Sequence, residues 1–110
     1  MNLNNCTFAG RLTKTAELGS TRGGTSKSKF RMAINDRRND KTLFLNVLSF
    51  GKLAENLNEY LVQGRLVSVV GTLTVDDYKD ENEVQRTSVC LMANDIQLGP
   101  EKAEKTSDSD

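Results

Sequence analysis

Residues Leu43 to Leu73, LFLNVLSFGKLAENLNEYLVQGRLVSVVGTL, decide the fold. Leu43 to Phe50 holds no Gly or Pro and is rich in bulky apolar side chains, the composition of a strand. Gly51 interrupts it. Leu53, Leu57 and Leu61 then recur every four residues, with Ala54 and Tyr60 beside them, as one apolar stripe of a helix about ten residues long. Gly64 supplies the stop such a helix needs. Leu66 to Val75 returns to strand character through Val67, Val69, Val70 and Val75. A helix between two strands, in a chain with further strands on either side, predicts a small barrel plugged at one end.

Upstream, Asn2 to Thr13 alternates. Cys6, Phe8, Gly10 and Leu12 share one face, and Asn5, Thr7, Ala9, Arg11 and Thr13 the other, as in a half-buried strand. Gly10 within it predicts a bend or bulge of the kind a tightly curved barrel needs. Lys14 to Ser26, KTAELGSTRGGTS, reads as a loop rich in Gly, Ser and Thr. Its Arg22-Gly23-Gly24 is no phosphate-binding P-loop, because no Gly-Lys-Ser/Thr follows after a strand. Lys27 to Asn35 alternates cleanly. Ser28, Phe30, Met32 and Ile34 face one way; Lys27, Lys29, Arg31, Ala33 and Asn35 face the other. The three cations form a basic ridge, or else guard an exposed edge against aggregation. Asp36 to Thr42 is a polar hairpin turn with a cationic tip: Arg37, Arg38 and Lys41.

In the next strand, Phe44, Asn46, Leu48 and Phe50 alternate with Leu43, Leu45, Val47 and Ser49. Both sets hold large apolar residues, yet one must face out. Either another subunit covers that face or it is a working surface. Downstream of Val75, Asp76 to Gln85 reads as an acidic hairpin loop carrying Tyr78 and Lys79. Arg86 to Leu98 is the last strand, with Thr87, Val89, Leu91 and Ala93 opposing Ser88, Cys90 and Met92. Pro100 ends the fold. Five strands with one helix between the third and fourth match the order of the OB-fold, an all-β Greek-key barrel that binds oligonucleotides along one face.

The chain has 110 residues, of which 36% are hydrophobic and 27% charged, as expected of one globular domain. Residues 1–99 form that domain, and 100–110 an acidic tail lacking the apolar residues to fold. Net charge is zero but unevenly spread: eleven Lys/Arg face five Asp/Glu over residues 1–70, and four face ten over 71–110. A basic body with an acidic end suits an anionic partner and a tail that competes with it. No apolar run approaches the roughly 18 residues that cross a bilayer, so no membrane association is expected. The N-terminus lacks signal-peptide features, and the chain is expected to stay in the compartment that made it, the cytoplasm. Cys6 and Cys90 have no CxxC partner and the chain has no histidine, so small buried hydrophobes are expected, with no metal or cofactor. A disulfide would require their strands to pair. With no histidine and no activated nucleophile, catalysis is the least supported class.

Three stretches together carry a resemblance: NCTFAGRL (Asn5 to Leu12), KFRMAI (Lys29 to Ile34) and above all the Leu43 to Leu73 block. The Phe-Gly-Lys-x-Ala-Glu run, the Tyr-Leu-x-x-Gly helix end and the Val-x-Gly-x-Leu strand occur in order. In these the chain resembles bacterial-type single-stranded DNA-binding proteins over residues 3–99. The resemblance implies an OB-fold homotetramer, with a homodimer as the alternative, that wraps single-stranded DNA with little sequence choice during replication, recombination or repair. It places Phe44 and Tyr78 at or near stacking tryptophans of the family, and Phe50 at a phenylalanine lying against DNA. Lys27, Lys29, Arg31, Arg37, Arg38, Lys41 and Lys79 would meet phosphates.

The departures are specific. The chain has no tryptophan. Arg38 stands where the family commonly has a third stacking ring, and a guanidinium can both stack and contact phosphate. Leu45 replaces a common histidine at the family's dimer contact. The tail ends in SDSD without the apolar Pro-Phe tip through which the family recruits replication and repair proteins. A short tail of this kind is expected of a phage or mobile-element form. The competing expectation is a primosome-type OB-fold adaptor acting mainly through protein contacts. The missing tail tip and missing tryptophans speak for it, and Arg31, Arg37, Arg38 and Lys41 around one hairpin against it.

Overall fold

The computed structural model describes residues 3–100. The strand start expected at Asn2, and the tail expected from residue 100 onward (Pro100 apart), lie outside the described residues. Six strands and one helix follow in the order β1 (Cys6–Leu12), β2 (Glu17–Ser20), β3 (Ser26–Asp36), β4 (Lys41–Phe50), α1 (Gly51–Leu57), β5 (Leu66–Lys79) and β6 (Gln85–Leu98). They form one sheet in the order β1-β5-β6-β4-β3-β2, closed by a second pairing of β1 with β3. All pairings are antiparallel except that of β4 with β6. The five long strands make the expected barrel. The four-residue β2 extends it at the edge.

The expected alternation places the core. Phe30 and Met32 of β3, Leu45 and Val47 of β4, Val67 and Val69 of β5, Leu91 and Ile96 of β6 and Leu12 of β1 form one buried cluster. Leu61, fully buried beyond the helix, belongs to the same cluster. Ala54 of α1 is fully buried as well, and Leu53 and Leu57 of the same helix pack against the cluster. The competing sets in β4 are thereby resolved. Leu45, Val47 and Ser49 point inward, while Phe44 is exposed and Asn46, Leu48 and Phe50 are half-buried on the outside.

Closure depends on Gly10. Just past it β1, still paired with β5 through Gly10–Val67 and Arg11–Leu66, also pairs with β3 through Arg11–Ala33 and Leu12–Met32. A Cβ at Gly10 would overlap the carbonyl oxygen of Ala33. The bend expected at this glycine is thus a close backbone approach at the barrel seam. Gly71 serves similarly against the Met92 carbonyl, at the register shift between β5 and β6.

Several boundaries differ from expectation, β1 beginning at Cys6 with residues 3–5 outside it. The loop expected over Lys14 to Ser26 contains β2, paired with β3 from Glu17–Lys29 to Ser20–Ser26. All four residues of β2 are exposed, so pairing rather than burial holds them. The loop expected over Asp76 to Gln85 shrinks to residues 80–84, because β5 runs to Lys79 and β6 begins at Gln85. The helix is seven residues long and begins at Gly51, whose φ is +65°; a 3-10 turn over Asn58–Tyr60 follows. Gly64, at φ +85°, turns the chain four residues beyond Tyr60 rather than capping the helix itself.

Cys6 packs against the core, whereas Cys90 alternates with the buried Leu91 and so lies on the outer side. β5 separates their strands, and both cysteines are free thiols. Among the described residues no helix is long and apolar enough to cross a membrane.

Candidate nucleic-acid interface

The outer face of β3 and β4 is a ladder of cross-strand pairs: Lys27–Phe50, Lys29–Leu48, Arg31–Asn46 and Ala33–Phe44. Cross-strand partners share a face, so the three cations and two of the aromatics stand side by side. From Phe44 to Phe50 is six residues, or roughly 20 Å. Phe44, 48% exposed, is the more open ring; Phe50 is half-buried beside Lys27. The Arg31 guanidinium carbon lies 4.6 Å from the centroid of the Phe44 ring. Lys29 and Arg31 also line a groove of about 240 Å³ with Lys14, Glu17 and Asn46, its wall formed by the β1–β2 connection at Thr13 and Thr15. That connection is anchored, because Thr13 donates to the Arg31 carbonyl through its backbone N–H at 2.9 Å.

The second half of the face lies on the β5–β6 hairpin. Tyr78, 51% exposed, stands in strand β5 rather than in a loop, directly opposite Arg86. Counting back by twos, this pair shares its side with Thr74–Cys90 and Thr72–Met92. Cys90 and Met92 pair in parallel with Asn46 and Leu48. Tyr78 and Arg86 therefore continue the surface that carries Phe44 and Arg31. Because β4 and β6 run parallel but pair only over Asn46–Leu48, the β3–β4 and β5–β6 hairpins leave the barrel at the same end as two arms.

Arg37 and Arg38 are exposed in the turn between β3 and β4, at the end of the first arm. The Asp36 carboxylate accepts the Arg38 backbone N–H at 3.1 Å and shapes this turn. The Arg38 side chain stays exposed. Lys41 pairs with Asp36, and by alternation lies across the ribbon from Phe44. Lys79, opposite Gln85, likewise alternates away from Tyr78. These two cations are exposed but do not share the aromatic face.

The tip of the second arm is built by Asp80. Its carboxylate accepts the Arg86 Nε–H at 2.9 Å and the backbone N–H groups of Asn82 and Val84 at 2.9 and 3.0 Å. The Arg86 hydrogen bond, then those from Val84 and Asn82, hold the carboxyl below its ordinary value of 3.8. Arg86, the cross-strand partner of Tyr78, is thereby tied to Asp80, an arrangement that sequence reading missed. So were Lys14 and Asn46, which become neighbours of Lys29 and Arg31 only across strands. Finding Arg86 from sequence required centring the hairpin on residues 80–84.

The family model described as the single-strand binding protein family matches residues 3–99. A "Single-stranded DNA-binding protein" of Staphylococcus aureus (strain MRSA252) is 36% identical over 114 residues, covering 94% of this chain and 70% of that protein. A "Single-stranded DNA-binding protein 2" of Staphylococcus aureus (strain COL) is 37% identical, covering 87% and 73%. A "Single-stranded DNA-binding protein" of Borreliella burgdorferi is 32% identical, covering 87% and 69%. With the match spanning the whole barrel, from β1 through β6, the chain belongs to the single-strand binding protein family.

Proposed function

We propose that the outer face of β3, β4 and the β5–β6 hairpin binds single-stranded DNA without sequence choice. Bases stack on Phe44 and Tyr78, with Phe50 at the far end of the ladder. Phosphates are met by Lys27, Lys29, Arg31, Arg37 and Arg38, with Arg86 added on the second arm. The observation that carries this is the Asn46–Cys90 and Leu48–Met92 pairing, which joins two aromatic-bearing hairpins into one surface. Stacking is tolerant of sequence because every base has a flat face, and it is worth about 1–3 kcal/mol per base. The relatives named single-stranded DNA-binding protein support the same reading. In a cell such a surface would coat strands exposed during replication, recombination or repair.

Assembly as a homotetramer, or a homodimer, belongs to this proposal. Among the described residues β1 pairs with β3 only at Arg11 and Leu12, so its edge over residues 6–9 opposite β5 is open to another strand. Light scattering of the free protein reads the mass directly, and a monomer would remove this part.

The test of binding is titration with oligo(dT) while following tyrosine emission. Quenching is expected, and the Phe44→Ala, Tyr78→Ala double variant is expected to bind at least several-fold more weakly. An unchanged affinity in the double variant would remove stacking as the mechanism.

A further inference from the structure

The ring expected to receive a base is already in use. Arg31 and Phe44 are diagonal neighbours on the outer face, and the guanidinium sits over the ring at 4.6 Å. That is a cation–π contact, and it covers one side of an exposed phenylalanine. The same Arg31 lines the groove with Lys14 and Lys29, where three cations face a single carboxylate, Glu17. Arg31 thus has two stations within reach: the aromatic ring and a cationic groove suited to a phosphate.

We propose that Arg31 caps Phe44 in the free protein and is exchanged off the ring when a strand binds, the base taking its place and the guanidinium taking a phosphate. The inference rests on the reading of this face as a single-strand site and adds a specificity role for Arg31 within it. An exposed cation–π contact is weaker than a base–aromatic stack, so the ring gains by the exchange. A guanidinium leaving the ring gains in turn a charge-assisted, two-pronged bond to phosphate. Stacking and charge neutralisation then become one event. A free nucleobase, or a strand without phosphates, would lose the cap contact and gain no ion pair. Arg31 therefore favours a base carried on an anionic backbone over the base alone.

Two measurements test this. In the free protein, ring current from Phe44 shifts the Arg31 side-chain protons upfield; saturation with oligo(dT) is expected to abolish that shift. Separately, Arg31→Ala is expected to weaken binding of oligo(dT) and lower its salt slope by about 0.7, one phosphate contact on a single strand. For a thymine oligomer on a neutral peptide backbone, the same variant is expected to bind roughly 2–5-fold more tightly, since no cap needs displacing. That gain is expected to vanish in a Phe44→Ala background. Arg31 protons that stay upfield in the saturated complex overturn the exchange, as does a neutral oligomer bound equally or more weakly by Arg31→Ala. If the wild type fails to bind oligo(dT), the reading of the face falls and the exchange with it. If it binds while Arg31 stays on the ring, the exchange alone falls.

Discussion

Phe44 and Tyr78 each leave about half their surface open, and each has an arginine as its neighbour on the same face. In a protein without tryptophan, the proposed binding divides between these pairs the work of larger rings: ring for base, guanidinium for phosphate. Phe44→Ala by itself is expected to cost about 1–3 kcal/mol of oligo(dT) affinity, read by titration. Phe50→Ala should cost less, because that ring is already half-buried beside Lys27. A different constraint operates at Gly10, where any Cβ meets the Ala33 carbonyl at the barrel seam. Gly10→Ala is expected to destabilise the fold by about 1–3 kcal/mol in urea denaturation, as overpacking against backbone does. No loss of stability would mean that β1 can shift at the seam.

The β5–β6 hairpin passes from core to solvent along its length. Leu91 is fully buried, whereas Val89, two residues earlier on the same face, is 46% exposed opposite the exposed Val75. The strands have outrun the barrel at that point. Leu91→Ala is expected to cost about 2–5 kcal/mol of stability and Val89→Ala under about 1, measured by the same denaturation curves. The tip is held by Asp80 instead. Because its folded-state pKa is depressed, its contribution is fully present above the ordinary carboxylate value and is lost as pH falls through the lower folded one. Amide exchange at Asn82 and Val84 should therefore accelerate in Asp80→Asn at neutral pH, and in the wild type only in acid. Equal exchange rates in wild type and variant would show that the tip stands without the carboxylate.

For the molecule as a whole, the arrangement of charge matters more than its total. Net charge is zero, yet Lys27, Lys29 and Arg31 lie along one ladder, with Arg37 and Arg38 at its end. Arg86 belongs to the adjoining arm. Single-strand affinity is expected to fall with salt at a slope of about −0.7 per phosphate contacted. Removing Arg38 should reduce that slope by one contact, while Lys41→Ala and Lys79→Ala, on the other side of their ribbons, should change it least. A salt-independent affinity would place the binding energy somewhere other than this face.

What the sequence determined by itself was whatever depends on a local period. Ser28-Phe30-Met32-Ile34 against Lys27-Lys29-Arg31 is a two-residue repeat, and such a repeat assigns inside and outside once a core exists. The leucine spacing after Gly51 marked a helix packed on the core, though not its end at Leu57, and the order of strands and helix was enough to expect the barrel. Elements held by pairing alone left no such mark. β2 is exposed at every position, and the outer end of β5 is acidic and polar, so hydrophobic pattern was silent on both. Only tertiary structure decided that β4 lies parallel beside β6, because strand register between distant segments is set by closure of the whole sheet. That single pairing places Tyr78 and Arg86 on the surface that Phe44 and Arg31 occupy.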